Sequence, residues 1–393
     1  MRMVEWKKMW ELTAWDKKFQ GVDKSMQSKI IPYTNLLAKD LFALAVPNGN
    51  IKLLSTGVQE GWTTEELAGD YLSEGEVVTI PWGKSPGAQN PVKYYKGKFV
   101  TGDNRIATSL DTNILNNKFL YYWMYSKSDI IETFYRGAGI QHPSMFKVLT
   151  MPVPLLSISE QLRIVGILDT FTSSIDNLKQ QIAQRRKQYE YYRDQLLDLE
   201  GKEGVEMKML GDFCDTLSGF PFDSSQFRDE GIQLMRGANI KRGYFDFSQE
   251  LNKYWISSEG LEKYLLEPND IIISMDGSLV GRSFCYLRSD HLPLLLVQRV
   301  ARIRTKENYK YVYYNITKSF PDYVDKKKTA GAIPHISMKD INSFIIPVPS
   351  LSEQQRIVDI LDKFETSIQN LEAQLSQREK QYEYYRNKLL TFE

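Results

Sequence analysis

Cysteine and histidine are nearly absent from this sequence. Its 393 residues include two cysteines, Cys214 and Cys285, and three histidines, His142, His291 and His335. Two thiols cannot form a disulfide framework, and with these histidines they fall at no spacing that suits a metal centre. Long apolar runs are also missing. Leu292 to Val297 is far short of the roughly 20 residues that cross a bilayer, so no membrane partner is expected. The opening residues, Met1 to Lys8, lack the apolar core of a secretory signal. With 42% hydrophobic and 25% charged residues, the composition is that of a folded globular protein, expected in the cytoplasm.

Nucleotide-binding and catalytic loops are lacking as well. Gly83-Lys84-Ser85 has Val78 where a phosphate-binding loop needs its first glycine, and no G-x-G-x-x-G follows a strand. No Asn/Asp-Pro-Pro-aromatic loop is present to hold a flipped base, and Pro321-Asp322 lacks the Glu-x-Lys of a nuclease metal site. The expectation is no catalytic residue, no bound metal and no cofactor.

Net charge is only +1, but charge is segregated along the chain. Between Lys52 and Lys84 there is no basic residue, while Glu60, Glu65, Glu66, Asp70, Glu74 and Glu76 are acidic. From Lys84 to Arg105 the balance reverses, and Arg282 to Lys310 is again rich in basic residues. Such a chain can offer a cationic face to nucleic acid and an acidic one elsewhere.

What the sequence does contain is a repeat. Ser159-Glu-Gln-Leu-Arg-Ile-Val-Gly-Ile-Leu-Asp runs parallel to Ser352-Glu-Gln-Gln-Arg-Ile-Val-Asp-Ile-Leu-Asp. Lys187-Gln-Tyr-Glu-Tyr-Tyr-Arg recurs from Lys380, at the same offset of 193 positions that relates Glu160 to Glu353. Upstream, Pro152-Val-Pro matches Pro347-Val-Pro, and Gly139 to Met145 resembles Ala332 to Met338. The first thirty or so residues, rich in Trp and Lys, have no evident match in the second half.

The repeated segments predict two long coiled-coil helices, over 157–200 and 351–393. Apolar and aromatic residues recur at spacings of four and three from Ile164 to Leu199, with Leu168, Phe171, Ile175, Leu178 and Ile182 at the centre, and from Ile357 to Phe392, with Leu361, Phe364, Ile368, Leu371 and Leu375. A 3.5-residue period sustained over more than four heptads is a coiled-coil seam. Two equal seams in one chain can satisfy each other, and antiparallel pairing is favoured, giving a rod about 60 Å long. Ser159 and Ser352, each followed by Glu, are plausible caps. Arg185 and Arg378 interrupt the seams at equivalent places, either fixing register or reaching outward to water.

Between these helices lie two modules, 1–156 (with its extension 1–30) and 201–350. Short β-like runs such as Gly75 to Pro81 and Asn269 to Met275, with helical stretches near Asn116–Lys127 and Tyr309–Ser319, indicate an α+β fold. Their loops mix donors, aromatics and glycine, which suits contact with phosphates and base edges. In the first module the candidates are Trp82, Lys84, Lys93, Tyr94, Lys96, Lys98, Asn104 and Arg105. The second offers Arg236, Asn239, Lys241, Arg242, Ser278, Arg282, Lys326, Lys327 and Lys328. His142 and His335, at equivalent places, are either DNA contacts or hinges, or satisfied structural histidines.

The Pro-x-Pro, Ser-Glu-Gln and long-helix pattern, with the Arg236-Gly-Ala-Asn-Ile and Asn269-to-Gly277 segments, resembles the specificity subunits of type I restriction–modification systems across nearly the whole chain. The resemblance implies two target-recognition domains separated by antiparallel helices, each reading half of a bipartite double-stranded DNA site. It implies no activity of the chain's own. Two adenine-methylating modification subunits would be recruited, with restriction (translocase and nuclease) subunits joining the full complex. S-adenosylmethionine, ATP and Mg would belong to those partners. Two alternatives stand beside it: a coiled-coil scaffold without sequence-specific DNA binding, and a fused methyltransferase–nuclease, against which the missing loops count.

Overall fold

In the computed structural model, residues 4–27, 29–57, 59, 61–84, 92–327 and 334–392 are described. Contacts divide the chain into two compact units, Met1–Lys179 with Ala373–Glu393, and Gln180–Glu372. Each unit holds one α+β module with the start of one long helix and the end of the other.

The modules share a framework. In the first unit four antiparallel strands lie in the order Thr13–Trp15, Asn104–Ser109, Ser73–Pro81 and Lys93–Gly102. In the second the order is Cys214–Ser218, Val300–Thr305, Ile271–Ser274 and Phe284–Tyr286. The third strand of each set is buried on both faces, which is why it reads as a continuous β-branched run: Val77 to Ile80, and Ile271 to Ile273. Outside the framework they differ. The first sheet is extended by Asn35–Leu36, Ile51–Leu54 and Gly61–Thr63. In the second, Tyr254–Trp255, Ile232–Met235 and Leu294–Leu296 form a sheet of their own.

Residues 5–15 do have a counterpart. Glu5–Lys8 pairs antiparallel with Pro152–Leu155, as Glu206–Met209 pairs with Ile345–Val348. A four-residue helix follows each, Met9–Leu12 and Leu210–Phe213, and then the first framework strand. The carboxylate of Glu11 accepts a hydrogen bond from the Lys8 N–H, and that of Asp212 from the Met209 N–H. Identity is confined to Val4-Glu5-x-Lys7 against Val205-Glu206-x-Lys208, at an offset of 201 rather than 193, and the strand pairing and helix acid complete the match. The same pairing shifts the proline alignment by two, so that Pro154, not Pro152, stands where Pro347 stands.

The long helices are Ile158–Leu196 and Leu351–Leu389. Their caps are Ser157 and Ser350, whose hydroxyls accept from the N–H groups of Glu160 and Glu353, two residues before the serines the sequence pointed to. In the first unit Phe171 stacks on Tyr385, centroids 5.3 Å apart; in the second Tyr192 stacks on Phe364 at 5.4 Å. The start of each helix therefore lies along the end of the other, an antiparallel pair. Leu168, Ile175, Ile182 and Leu361 are buried along the seam, and Phe171, Leu178, Phe364, Ile368, Leu371 and Leu375 are half-buried.

One latch, built twice, fixes each module to its helix. The buried Gln161 accepts from the Asn116 N–H at 2.9 Å and donates to the carbonyls of Ile114 and Leu156. Gln354 accepts from the Asn308 N–H at 3.1 Å and donates to the Pro349 carbonyl and Glu307. Beside it, Lys118 and Tyr122 hold Asp169 as Lys310 and Tyr314 hold Asp362. The repeated Ser-Glu-Gln thus supplies a helix-start acid and a latch. Module and helix share one core in each unit, with Phe119, Leu120 and Trp123 against Ile164 and Leu168, and Tyr311, Tyr314 and Phe320 against Ile357 and Leu361.

Candidate nucleic-acid interface

The basic tract of the first module is not a free cationic face. Strand Lys93–Gly102 runs antiparallel to Ser73–Pro81 in a register that sets Lys98 opposite Glu74 and Lys96 opposite Glu76. Lys96 lies 3.5 Å from Glu76, and Lys98 lies 2.7 Å from Glu65, which raises the Lys98 pKa through that hydrogen bond. Tyr94 donates to Glu76 at 2.7 Å, and burial first, then this bond, drives its phenol above the ordinary range. Lys93 donates to the Ser55 carbonyl at 2.7 Å and to that of Gly57. Segregation along the chain becomes neutralisation across the strands.

Three further candidates are withdrawn from solvent. Arg105 is 1% exposed, bonded to the equally buried Asp16 at 2.8 Å and to Asp103 at 2.6 Å. Burial pushes the Asp16 carboxyl up, against the lowering effect of the Ile106 N–H and of Arg105. Asn104 is buried and donates to the Leu54 carbonyl and Thr101. Lys84 is buried, ion-paired with Glu132 and set over the Tyr135 ring at 5.0 Å. These are structural residues rather than surface donors. Trp82 remains half-exposed, faced by the Arg105 guanidinium at 4.7 Å, the Lys17 amine at 5.3 Å and the His142 ring at 5.0 Å.

The second module keeps more of its polar surface. Asn239 is buried, accepting from the Arg236 N–H and donating to the Asp246 carbonyl, so it shapes its loop instead of facing outward. Arg236 lies over Phe227 at 5.5 Å, Lys241 is 3.7 Å from Asp246, and Arg282 forms a two-pronged pair with Asp325. Arg242, Ser278, Lys326 and Lys327 are exposed. Lys328 lies outside the described residues.

Equivalent loops converge in both modules. In the first, Lys84 and Gln141 exchange backbone hydrogen bonds, and the exposed His142 ring lies 2.8 Å from the Trp82 carbonyl. In the second, Gly277 N–H donates to Pro334 and Ile336 N–H to Met275, with Asp276 bridging the exposed His335. The two histidines thus mark one architectural point, the closing of the long loop onto the framework. A turn that the candidate residues did not include, Gln298–Arg299, joins this cluster: the Met275 N–H donates to the Arg299 carbonyl at 2.9 Å. The sequence signal for it was only one arginine among several in a basic tract. The two thiols lie elsewhere and are inert, burial pushing Cys285 up to about 11 and Cys214 to about 12.

A family model described as the type I restriction modification DNA specificity domain matches residues 39–185 and again residues 202–379. The chain belongs to this family. The double match gives a specificity subunit two such domains, which favours this reading over a scaffold without sequence-specific DNA binding. The chain is 34% identical to the EcoR124I/EcoR124II specificity subunit of Escherichia coli, over 73% of this chain and 74% of that protein. It shares its fold with a type I restriction–modification S subunit from M. genitalium, at TM-score 0.66 and 18% identity, covering 100% of this chain and 98% of the other. A second similar structure, from work on complex assembly and conformational transition of the type I system, gives TM-score 0.55 and 16% identity over 99% and 97%. No helix among the described residues is long and apolar enough to cross a membrane.

Proposed function

We propose that this specificity subunit reads a bipartite duplex DNA target, with one half-site for each of the modules 1–156 and 201–350, while having no active site itself. One observation carries this reading: the same four-strand framework and the same helix latch occur twice, while the loops set on them differ. A framework held constant keeps each reader attached to its helix in the same way. Loops that differ present different donors, so the two half-sites differ in sequence. The paired helices hold the readers at a fixed spacing and leave the bases between them unread.

Duplicated outer helix faces, carrying like Gln, Glu, Lys and Tyr residues, suit two copies of one partner. Those partners would be two adenine-methyltransferase modification subunits, with restriction subunits completing the complex in the cytoplasm. S-adenosylmethionine, ATP and Mg would be theirs. Methylation mapping of DNA modified by the reconstituted complex tests the reading, with a two-part motif and a constant gap as the expected result. Methyl transfer by the isolated chain would overturn the non-catalytic assignment. Absence of any sequence preference in the complex would overturn the DNA-reading one.

A further inference from the structure

Gln298 and Arg299 are the two middle residues of a tight turn, closed by the Val300 N–H donating to the Val297 carbonyl at 3.2 Å. Arg299 has φ +63°. That conformation at the third turn position belongs to glycine or asparagine, because a Cβ crowds the backbone there. Among the described residues the one other non-glycine with positive φ is Asn269, a residue type that tolerates it. Local backbone preference therefore does not explain an arginine at 299. Nor does packing, since its side chain is 67% exposed. Strain of this kind persists where the side chain has a use.

One carboxylate lies beside that side chain. The Asp276 carboxylate accepts from its Nη1 at 3.4 Å. Asp276 itself lies where its own strand end meets two other segments. The Ser274 hydroxyl donates to its carbonyl, its backbone pairs antiparallel with that of His335, and a Cβ on Gly237 would stand 3.7 Å from its Oδ1. Three other arginines of this module are already neutralised: Arg282 by Asp325, Arg302 by Asp215, and Arg304 by Asp270 and Glu267. Arg299 has one weak contact to one nitrogen.

We propose that Arg299, positioned by Asp276, reads a guanine in the half-site of the second module. This rests on the DNA-reading function proposed above. The guanidinium fork matches the N7 and O6 acceptors of guanine in the major groove. The adjacent carboxylate decides between base and phosphate, for it repels a phosphate and leaves a neutral guanine edge unopposed. The first module supports a recognition role. There the same backbone tie recurs, with the Trp82 N–H donating to the Asp103 carbonyl at 2.9 Å, but the residue is an aspartate. The backbone tie is shared and the side chain set on it is specific to the module.

Complexes reconstituted with modification subunits would be assayed on a library of duplexes varied at every half-site position. Arg299→Gly relaxes the backbone and removes the fork, so its melting temperature should equal or exceed that of the parent. It should lose about ten- to a hundredfold of discrimination at one G·C position of one half-site, leaving the other half-site unchanged. Arg299→Lys, which keeps the charge, should lose most of the same discrimination while retaining overall affinity. Asp276→Asn should weaken selectivity at that same position and raise affinity for unrelated DNA. A uniform fall in affinity for all sequences with Arg299→Gly would make Arg299 a phosphate contact and overturn the proposal, as would unchanged selectivity. Absence of half-site preference in the parent complex would instead overturn the underlying function.

Discussion

The guanidinium of Arg378 lies over the ring of Phe171, 5.7 Å from its centroid, and Arg185 repeats the arrangement over Phe364 at 5.8 Å. A charge in the seam thus has a partner on the facing helix, and the contact exists in one register only. Phe171 and Arg378 should therefore be coupled. In a double-mutant cycle of Arg378→Ala and Phe171→Leu, urea denaturation should give an interaction energy of about 0.5–1 kcal/mol. Additive effects would mean that the arginine merely extends past the ring to water.

The glutamine latch makes a larger prediction. Gln161→Ala strands the Asn116 N–H and two carbonyls, and Gln354→Ala strands the Asn308 N–H and the Pro349 carbonyl. Each should cost about 1–3 kcal/mol, the usual penalty for a buried polar group left without a partner. Because the latch is duplicated, the two losses should be similar. Hydrogen exchange should show each confined to the unit that carries the substitution.

Arg105 is expected to behave as a core residue. Arg105→Ala would leave Asp16 charged, buried and unpaired, at a cost of about 3–5 kcal/mol. The melting temperature should fall well before any change in DNA selectivity is seen. A variant that melts normally but binds DNA poorly would return Arg105 to the interface.

Glu365 gives the second unit a pH dependence of known sign. Burial, chiefly, and then Asp362 raise its carboxyl above the ordinary value of 4.5, while the Tyr314 and Tyr189 hydroxyls and Lys310 oppose this. The folded state then holds the proton to higher pH than the unfolded chain does. The stability this contributes is complete below the unfolded value and is lost as pH rises through the folded one. Glu365→Gln should therefore raise the urea midpoint at pH 7 and leave it nearly unchanged at pH 4. A loss of stability at pH 7 would mean that the ionised carboxylate is needed there.

The repeat, the helices and their antiparallel pairing were legible because periodicity and near-identity survive in linear order. The counterpart of residues 5–15 was not, since Val4-Glu5-x-Lys7 and Val205-Glu206-x-Lys208 are a short match at an offset of 201, out of step with the 193 of the helices. The interface was legible least. Lys96 and Lys98 are basic in sequence, but their partners Glu76 and Glu65 lie some 20 to 33 residues away and meet them only across strands. Arg299 stands out through its backbone angle, which no residue pattern announces.

Two ion pairs between the helices are one position of the repeat read twice. Lys179 meets Glu379 at 3.5 Å, and Arg186 meets Glu372 at 2.6 Å. At the offset of 193, Lys179 corresponds to Glu372 and Arg186 to Glu379, so the first helix supplies the cation both times. In a pairing of two first helices Lys179 would face Arg186, and in a pairing of two second helices Glu372 would face Glu379. The near-identical helices are thereby directed toward each other rather than toward copies of themselves. These pairs are half-exposed, so each contributes about 0.2–1 kcal/mol. Lys179→Glu with Arg186→Glu should lower the urea midpoint at low salt. Adding Glu372→Lys and Glu379→Lys should restore it, and in 1 M salt, where screening acts within about 3 Å, the differences should shrink. If the double reversal leaves stability unchanged at low salt, these ion pairs do not direct partner choice.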